Sequence, residues 1–365
     1  MSAVAEARAD RPAMRSFVHE SLPTRVLFGA GSLDQLPAEV DRLGCRRVLV
    51  LASSSARTEA VVRRLGSRAA GTYDQAVMHV PADTARAARE EARRLDADLS
   101  VAVGGGSTIG LAKAIALETG LPILAIPTTF AGSEMTPIWG LTEGGAKRTG
   151  RDAKVLPRTV IYDPVLTLSL PPKVAGPSGM NAVAHCVEAL YAENANPIVS
   201  LMAEEGIRAL AEGLPTIVSN PGDLEAHATA LYGAWLAGAC LGSVGMALHH
   251  KLCHTLGGSF KLPHAETHTV ILPYAAAYNS AAAPDAMRRV RRALGEATNA
   301  ATALYALARR LQAPKGLKEL GLEAEDLDRA ADLATQNPYY NPRPVTRDGV
   351  RALLEQAFHG RPPEG

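Results

Sequence analysis

LSVAVGGGSTIGLAKAIALE, residues 99–118, decides how the N-terminal half of this chain folds. A run of strand formers, residues 99–103, stops at Gly104-Gly105-Gly106-Ser107-Thr108 and passes into a helical pattern that reaches Glu118. A strand, a glycine loop and a helix start in that order bring free backbone amides and the positive end of a helix dipole beside residues with no Cβ to hold an anion away. Gly105, Gly106, Ser107 and Thr108 are therefore candidate contacts to nucleotide phosphates, and Ser107 is also a candidate helix cap. The next apolar run, residues 122–126, opens into a second polar loop, PTTFAGS at 127–133, where Thr128, Thr129 and Ser133 are candidates of the same kind. A glycine triplet alone fits a tight turn equally well. Two polar loops after consecutive strands favour a dinucleotide, because ligands of open α/β sheets bind beyond the carboxyl ends of the strands.

Outward from this stretch, apolar runs at 25–28, 47–51, 76–80 and 159–162 read as further strands, with amphipathic helices at 33–43, 56–65 and 84–95. Such alternation predicts a mainly parallel sheet covered on both faces. Residues 139–150, with Glu143-Gly144-Gly145-Ala146 at their centre, read as a small hairpin. After Asp163-Pro164 strand-like runs give way to long helices rich in Ala and Leu, with Pro171-Pro172 at the joint. The expected organisation is a loose tail over 1–15, an α/β dinucleotide-binding domain over 16–165 and an all-α domain over 166–365. The run at 47–51 leads into Ala52-Ser53-Ser54-Ser55. A strand end near the adenosine ribose often carries an acid that repels a 2′-phosphate. Ser53 cannot repel it, so NADPH is expected to be accepted beside NADH.

Of the 365 residues, 47% are hydrophobic but only 4% aromatic, so the core must be built from Ala, Val, Leu and Ile. A net charge of +1 provides no field to attract nucleic acid or an anionic membrane. Cys45, Cys186, Cys240 and Cys253 show no paired spacing, which points to a reduced, cytoplasmic setting. Residues 228–248 contain no Asp, Glu, Lys or Arg and are long enough to span a bilayer. They are rich in Gly, Ala and Ser and run straight into His249-His250-Lys251, so a buried helix is expected instead.

Six of the ten histidines lie at 185 or between 249 and 268. Asn181 and His185 are four apart in a helical pattern and share a face; His250 and His254 repeat that spacing. His264 follows a break expected at Gly257-Gly258, and His268 lies four further on. This pattern suits either a metal site or a centre for proton transfer and anion binding. An asparagine amide with neutral imidazoles is a poor donor set for a hard divalent cation.

The succession GGGST, PTTFAGSE, SGMNAVAHCVEALY and ALHHKLCHTLGGSFKLPHAETH resembles the iron-containing alcohol dehydrogenase family, from about residue 25 to Asn341-Pro342-Arg343. The resemblance implies a dehydroquinate synthase-like architecture, with catalysis in the cleft between an N-terminal dinucleotide-binding domain and a C-terminal helical domain. The family holds a metal with an aspartate and three histidines, at positions that match Asn181, His185, His250 and His264, and has a further active-site histidine matching His254. Gly110 stands where the family usually has aspartate, and His268 where asparagine is common. With Asn181, the contexts HHKLCHTLGG and THTV resemble the family's maleylacetate reductase branch, which works without metal. What the resemblance implies is reduction of the carbon–carbon double bond of 2-maleylacetate, a small dicarboxylate, to 3-oxoadipate by NADH or NADPH in aromatic-compound degradation, by a homodimer. In that reading His254 or His250 stabilises the enolate and relays the proton, and Lys251, His264 and His268 are candidates to hold the carboxylates. The alternatives are a metal-dependent alcohol or polyol dehydrogenase with Asn181 as a tolerated ligand, an NAD-using lyase or cyclase of the dehydroquinate synthase type, and a non-catalytic dinucleotide-binding protein.

Overall fold

The computed structural model describes residues 16–363 except 79, 145, 297 and 298, and leaves the side chains of 146 and 147 aside. The tail expected over 1–15 lies outside the described residues.

Six strands form one parallel sheet: β1 (Arg25–Phe28), β2 (Val48–Leu51), β3 (Ala69–Tyr73), β4 (Leu99–Gly104), β5 (Ile123–Pro127) and β8 (Thr159–Tyr162), in the order β1-β8-β5-β4-β2-β3. The inner strands are buried along their whole length, which only a sheet covered on both faces produces. The coverings include α1 (Leu36–Arg42), α2 (Ser55–Leu65), α3 (Ala82–Arg94) and α4 (Gly106–Thr119). A hairpin of β6 (Ile138–Glu143) and β7 (Ala146–Arg151) pairs Glu143 with Ala146, as the turn signal predicts.

One strand is misplaced by the sequence pattern. The expected strand at 76–80 is absent from its described residues, and β3 runs over Ala69–Tyr73 instead. As an edge strand only half buried, β3 has no apolar run to announce it. The apolar Ala76 and Val80 are buried in an irregular segment, with Val80 at a left-handed φ of 47°.

From Pro172 the chain is helical: α5 (Pro172–Ala189), α6 (Pro197–Ser219), α7 (Leu224–Ser243), α8 (Leu248–Phe260), α9 (His264–Asn279), α10 (Pro284–Ala293), α11 (Ala300–Arg310), α12 (Asp326–Thr335) and α13 (Arg347–His359). Glycines let α6 and α7 touch at their backbones: a Cβ at Gly213 would meet Ala226 O at 2.7 Å, and one at Gly233 would meet Gly206 O at 3.0 Å. The uncharged run at 228–248 is thus most of a core helix. It breaks after Ser243, and α8 leaves at 95° to α7. No single helix among the described residues is long and apolar enough to cross a membrane. Gly257-Gly258 does not break the chain as expected; both lie inside α8, which ends with Lys261 in a left-handed conformation at φ 58°.

Candidate active site

The carboxyl ends of β2, β4 and β5 lie side by side and carry the residues expected to hold a dinucleotide. Gly104 turns the chain at φ 157°, and α4 starts at Gly106 with Gly105, not Ser107, at the cap position. Ser107 sits in the first turn, half-buried. A Cβ at Gly106 would meet no atom within 4 Å, so open space lies beyond that helix end, as a phosphate cradle requires. Thr108 is a correction: it is buried, and its hydroxyl fills the place that a Cβ on Gly104 would take, so it shapes the turn from beneath. The second loop closes on the first. Thr128 N–H donates to Gly104 O at 3.0 Å, and Thr129 lies 3.0 Å from where a Cβ on Gly105 would be. Ser133 ends this loop, its carbonyl accepting from buried Lys113 at 2.7 Å. Ser53 is exposed at the end of β2. Arg57, which the sequence reading passed over, reaches from the first turn of α2 across the glycine loop and donates to Thr128 Oγ1 at 3.2 Å. Its signal was a guanidinium two residues after Ser53-Ser54-Ser55.

Facing this cleft, helices α5, α8 and α9 bring together all six clustered histidines. His185 Nδ1 and His250 Nε2 share a hydrogen bond of 2.9 Å, and His185 Nε2 reaches Ala131 O at 3.3 Å, joining the cluster to the loop after β5. His250 stacks at 5.0 Å from His185 and lies 6.1 Å from His254, which is exposed, while His264 is half-buried at 4.4 Å from His268. Behind them His249 Nε2 and His268 Nδ1 are 2.9 Å apart, both fully buried. The expectation that His268 holds a substrate carboxylate therefore does not suit its place; it backs His264 and His250 instead. Lys251 is half-buried, its ammonium 5.6 Å from the centre of the Tyr339 ring. Asn181 is buried beside His185 on α5, and its Oδ1 has no donor among the described residues. Burial, and after it neighbouring imidazoles, hold His185, His249 and His268 well below the ordinary histidine pKa.

Glu188 was also missed. It is fully buried on α5 and accepts from His250 Nδ1 at 2.7 Å, and from the backbone N–H groups of Ala247, His249 and His250 at 2.9, 2.8 and 3.4 Å. The signal was its spacing, three residues beyond His185 and seven beyond Asn181 on one helix face.

Among the described residues one group brings three metal-type donors within 4.8 Å of one another, His249, Cys253 and His268. Two nitrogens bound at ~2.0–2.1 Å to a tetrahedral zinc stand about 3.3 Å apart. The 2.9 Å between His249 and His268 is a hydrogen bond, and the cluster reads as proton-sharing packing. Gly110 has a packing reason too: a Cβ there would meet Val80 Cγ2 at 2.9 Å, so the helix at this point has no room for a longer side chain.

Comparison with known proteins follows the same division of the chain. Residues 23–164 match the family described as iron-containing alcohol dehydrogenase, and residues 176–358 match its C-terminal part. A maleylacetate reductase of Burkholderia cepacia is 59% identical over 349 residues, covering 95% of this chain and 99% of the relative. One from Sphingobium indicum is 55% identical over 348 residues, covering 95% and 99%. The crystal structure of maleylacetate reductase from Agrobacterium tumefaciens superposes with a TM-score of 0.92 at 50% identity, over 96% of this chain and 100% of that one. The iron in the family's description does not fit the donors as they stand: Asn181 brings no charge, and His185 and His250 spend Nδ1 and Nε2 on each other.

Proposed function

The chain belongs to the iron-containing alcohol dehydrogenase family, and from that premise we propose that it reduces the carbon–carbon double bond of 2-maleylacetate to 3-oxoadipate with NADH or NADPH, in the breakdown of aromatic compounds. The observation that carries this reading is the contact of His185 with Ala131, which sets the cluster of imidazoles against the loop of the dinucleotide cleft. Close identity to maleylacetate reductases along nearly the whole chain supports the choice of substrate.

A reduced nicotinamide dinucleotide supplies a hydride when bound. The glycine loop, the α4 N-terminus, Thr128, Thr129 and Arg57 would hold its phosphates. Hydride added to the carbon remote from the ketone moves charge onto the ketone oxygen, which then needs a donor, and the neighbouring carbon needs a proton. His254, exposed on α8, is the ring placed to meet the substrate, with His250 behind it. The run Glu188–His250–His185–Ala131 links the two imidazoles to an acceptor at each end, His250 to the Glu188 carboxyl at 2.7 Å and His185 to the Ala131 carbonyl at 3.3 Å. Glu188 closes that run at His250, so a proton passed along it reaches the imidazole that stands behind His254. Half-buried His264 and Lys251 are the nearest candidates for the substrate carboxylates. On this reading no metal takes part.

We also read the protein as a homodimer of the cytoplasm. The outer edge of β1 pairs with no strand among the described residues, Phe28 at its end is exposed, and the four cysteines are free.

The test is loss of nicotinamide absorbance with maleylacetate, simple alcohols and both cofactors, before and after exhaustive chelation. Maleylacetate reduction that survives chelation supports the reading. Activity restored only by ferrous iron or zinc, or confined to alcohols, overturns it.

A further inference from the structure

Helix α8 begins without a capping side chain of its own: its cap residue is Ala247. The amides of that first turn are taken instead by one carboxylate from another helix. Glu188 Oε2 accepts from Ala247 N at 2.9 Å and His250 N at 3.4 Å, Oε1 accepts from His249 N at 2.8 Å, and the same Oε2 accepts from the His250 ring at 2.7 Å.

We infer that Glu188 is a positioning residue for the reduction: it fixes the tautomer and orientation of the His250 ring through Nδ1 while anchoring the helix that carries that ring. A cap needs only the backbone amides. The ring bond is additional, the shortest of the four, and the one with a chemical consequence. Both Glu188 oxygens already accept backbone N–H groups, so the ring bond runs the same way, from His250 Nδ1–H to Oε2, and Nε2 is the atom turned toward His185. Glu188 is fully buried, so no water competes for the bond, and His250 is its ion-pair partner among the described residues. Because Glu188, His185 and Asn181 share α5, one rigid element sets the His250 ring against both of its neighbours. The role in catalysis rests on the reductase reading; the tautomer does not.

The experiment combines selective histidine 15N spectra with steady-state kinetics of the full-length protein. In the wild type, His250 is expected to show a protonated Nδ1 with a strongly deshielded proton, its signal assigned by loss in His250→Asn. Glu188→Gln is expected to shift that resonance upfield and to lower kcat about 100-fold, with cofactor Kd changed less than about twofold. A wild-type His250 protonated at Nε2 alone overturns the inference, as does a folded Glu188→Gln that keeps its kcat. A rise in cofactor Kd and a fall in kcat that both track a lowered thermal midpoint would make Glu188 a helix cap only, and would also overturn it. Should Glu188→Gln fail to fold, the wild-type spectrum decides. Should maleylacetate prove not to be the substrate, that spectrum still reads the tautomer, so the two failures are told apart.

Discussion

Asn181 stands one helical turn from His185 with a buried oxygen that no group among the described residues serves. An aspartate there would add the charge that a divalent ion needs beside neutral imidazoles. Asn181→Asp should therefore retain zinc or ferrous iron through dialysis better than the parent protein, while reducing maleylacetate more slowly because the new carboxylate repels a dicarboxylate. Metal analysis and the same absorbance assay check both halves; equal metal retention by the two proteins would remove Asn181 from the decision. Arg57 is the other single residue with a large expected effect. Truncating a charged donor to a phosphate typically costs about tenfold or more in affinity. Arg57→Ala should thus raise the Kd of NADH and of NADPH by roughly tenfold, measured by fluorescence titration. Unchanged affinity would show that the guanidinium only bridges to Thr128.

At the scale of elements, the loop after β5 depends on α4 beneath it and α7 behind it. Gly132 sits at φ 77° against Gly238, where a Cβ would come within 2.5 Å of the Gly132 carbonyl. Lys113 rises from α4 and gives hydrogen bonds to Ser133 O, Thr136 O, Thr136 Oγ1 and Ile138 O at 2.7, 2.8, 2.9 and 2.8 Å. Burial pulls its pKa down to about 7, and nearby Glu134 pulls the other way. Four acceptors select the ammonium, since a neutral amine has only two N–H groups to offer. Lys113→Met removes this donor from Thr136 O and Ile138 O in a dry place, while Ser133 O keeps the Thr136 N–H and hydroxyl at 3.2 and 3.1 Å. The expected loss is about 2–4 kcal/mol of stability, seen as a lower denaturant midpoint, together with weaker dinucleotide binding as the loop loosens. A variant as stable as the parent would show that the loop holds its shape without this tie.

For the whole molecule, the parallel sheet and the helical body meet where Ala131 touches His185, so the glycine-loop face and the imidazole cluster share one cleft only when both halves are folded. The open edge of β1 gives the expectation for assembly. Light scattering in dilute solution should return the mass of two chains, and a concentration-independent monomer would overturn the proposed dimer. Much of this architecture was legible beforehand. Buried parallel strands such as β2 and β4 announce themselves as unbroken apolar runs, and GGGST after one of them marks the turn into α4 at the cleft. The edge strand β3 was not legible, because half its surface is exposed and it carries no such run. The histidines were visible by spacing along α5 and α8, because positions four apart share a helix face. Their division into an exposed His254, a bonded His185–His250 pair and a buried His249–His268 pair was not, because it depends on how three helices cross. Glu188 and Arg57 show the same limit from the other side. By itself the sequence determined the sheet, the glycine loop and the set of imidazoles, since each is written in local periodicity and local chemistry. Only the tertiary structure decided which imidazole stands exposed, which carboxylate holds the ring behind it and which guanidinium meets Thr128, since those are meetings of residues as much as 71 positions apart.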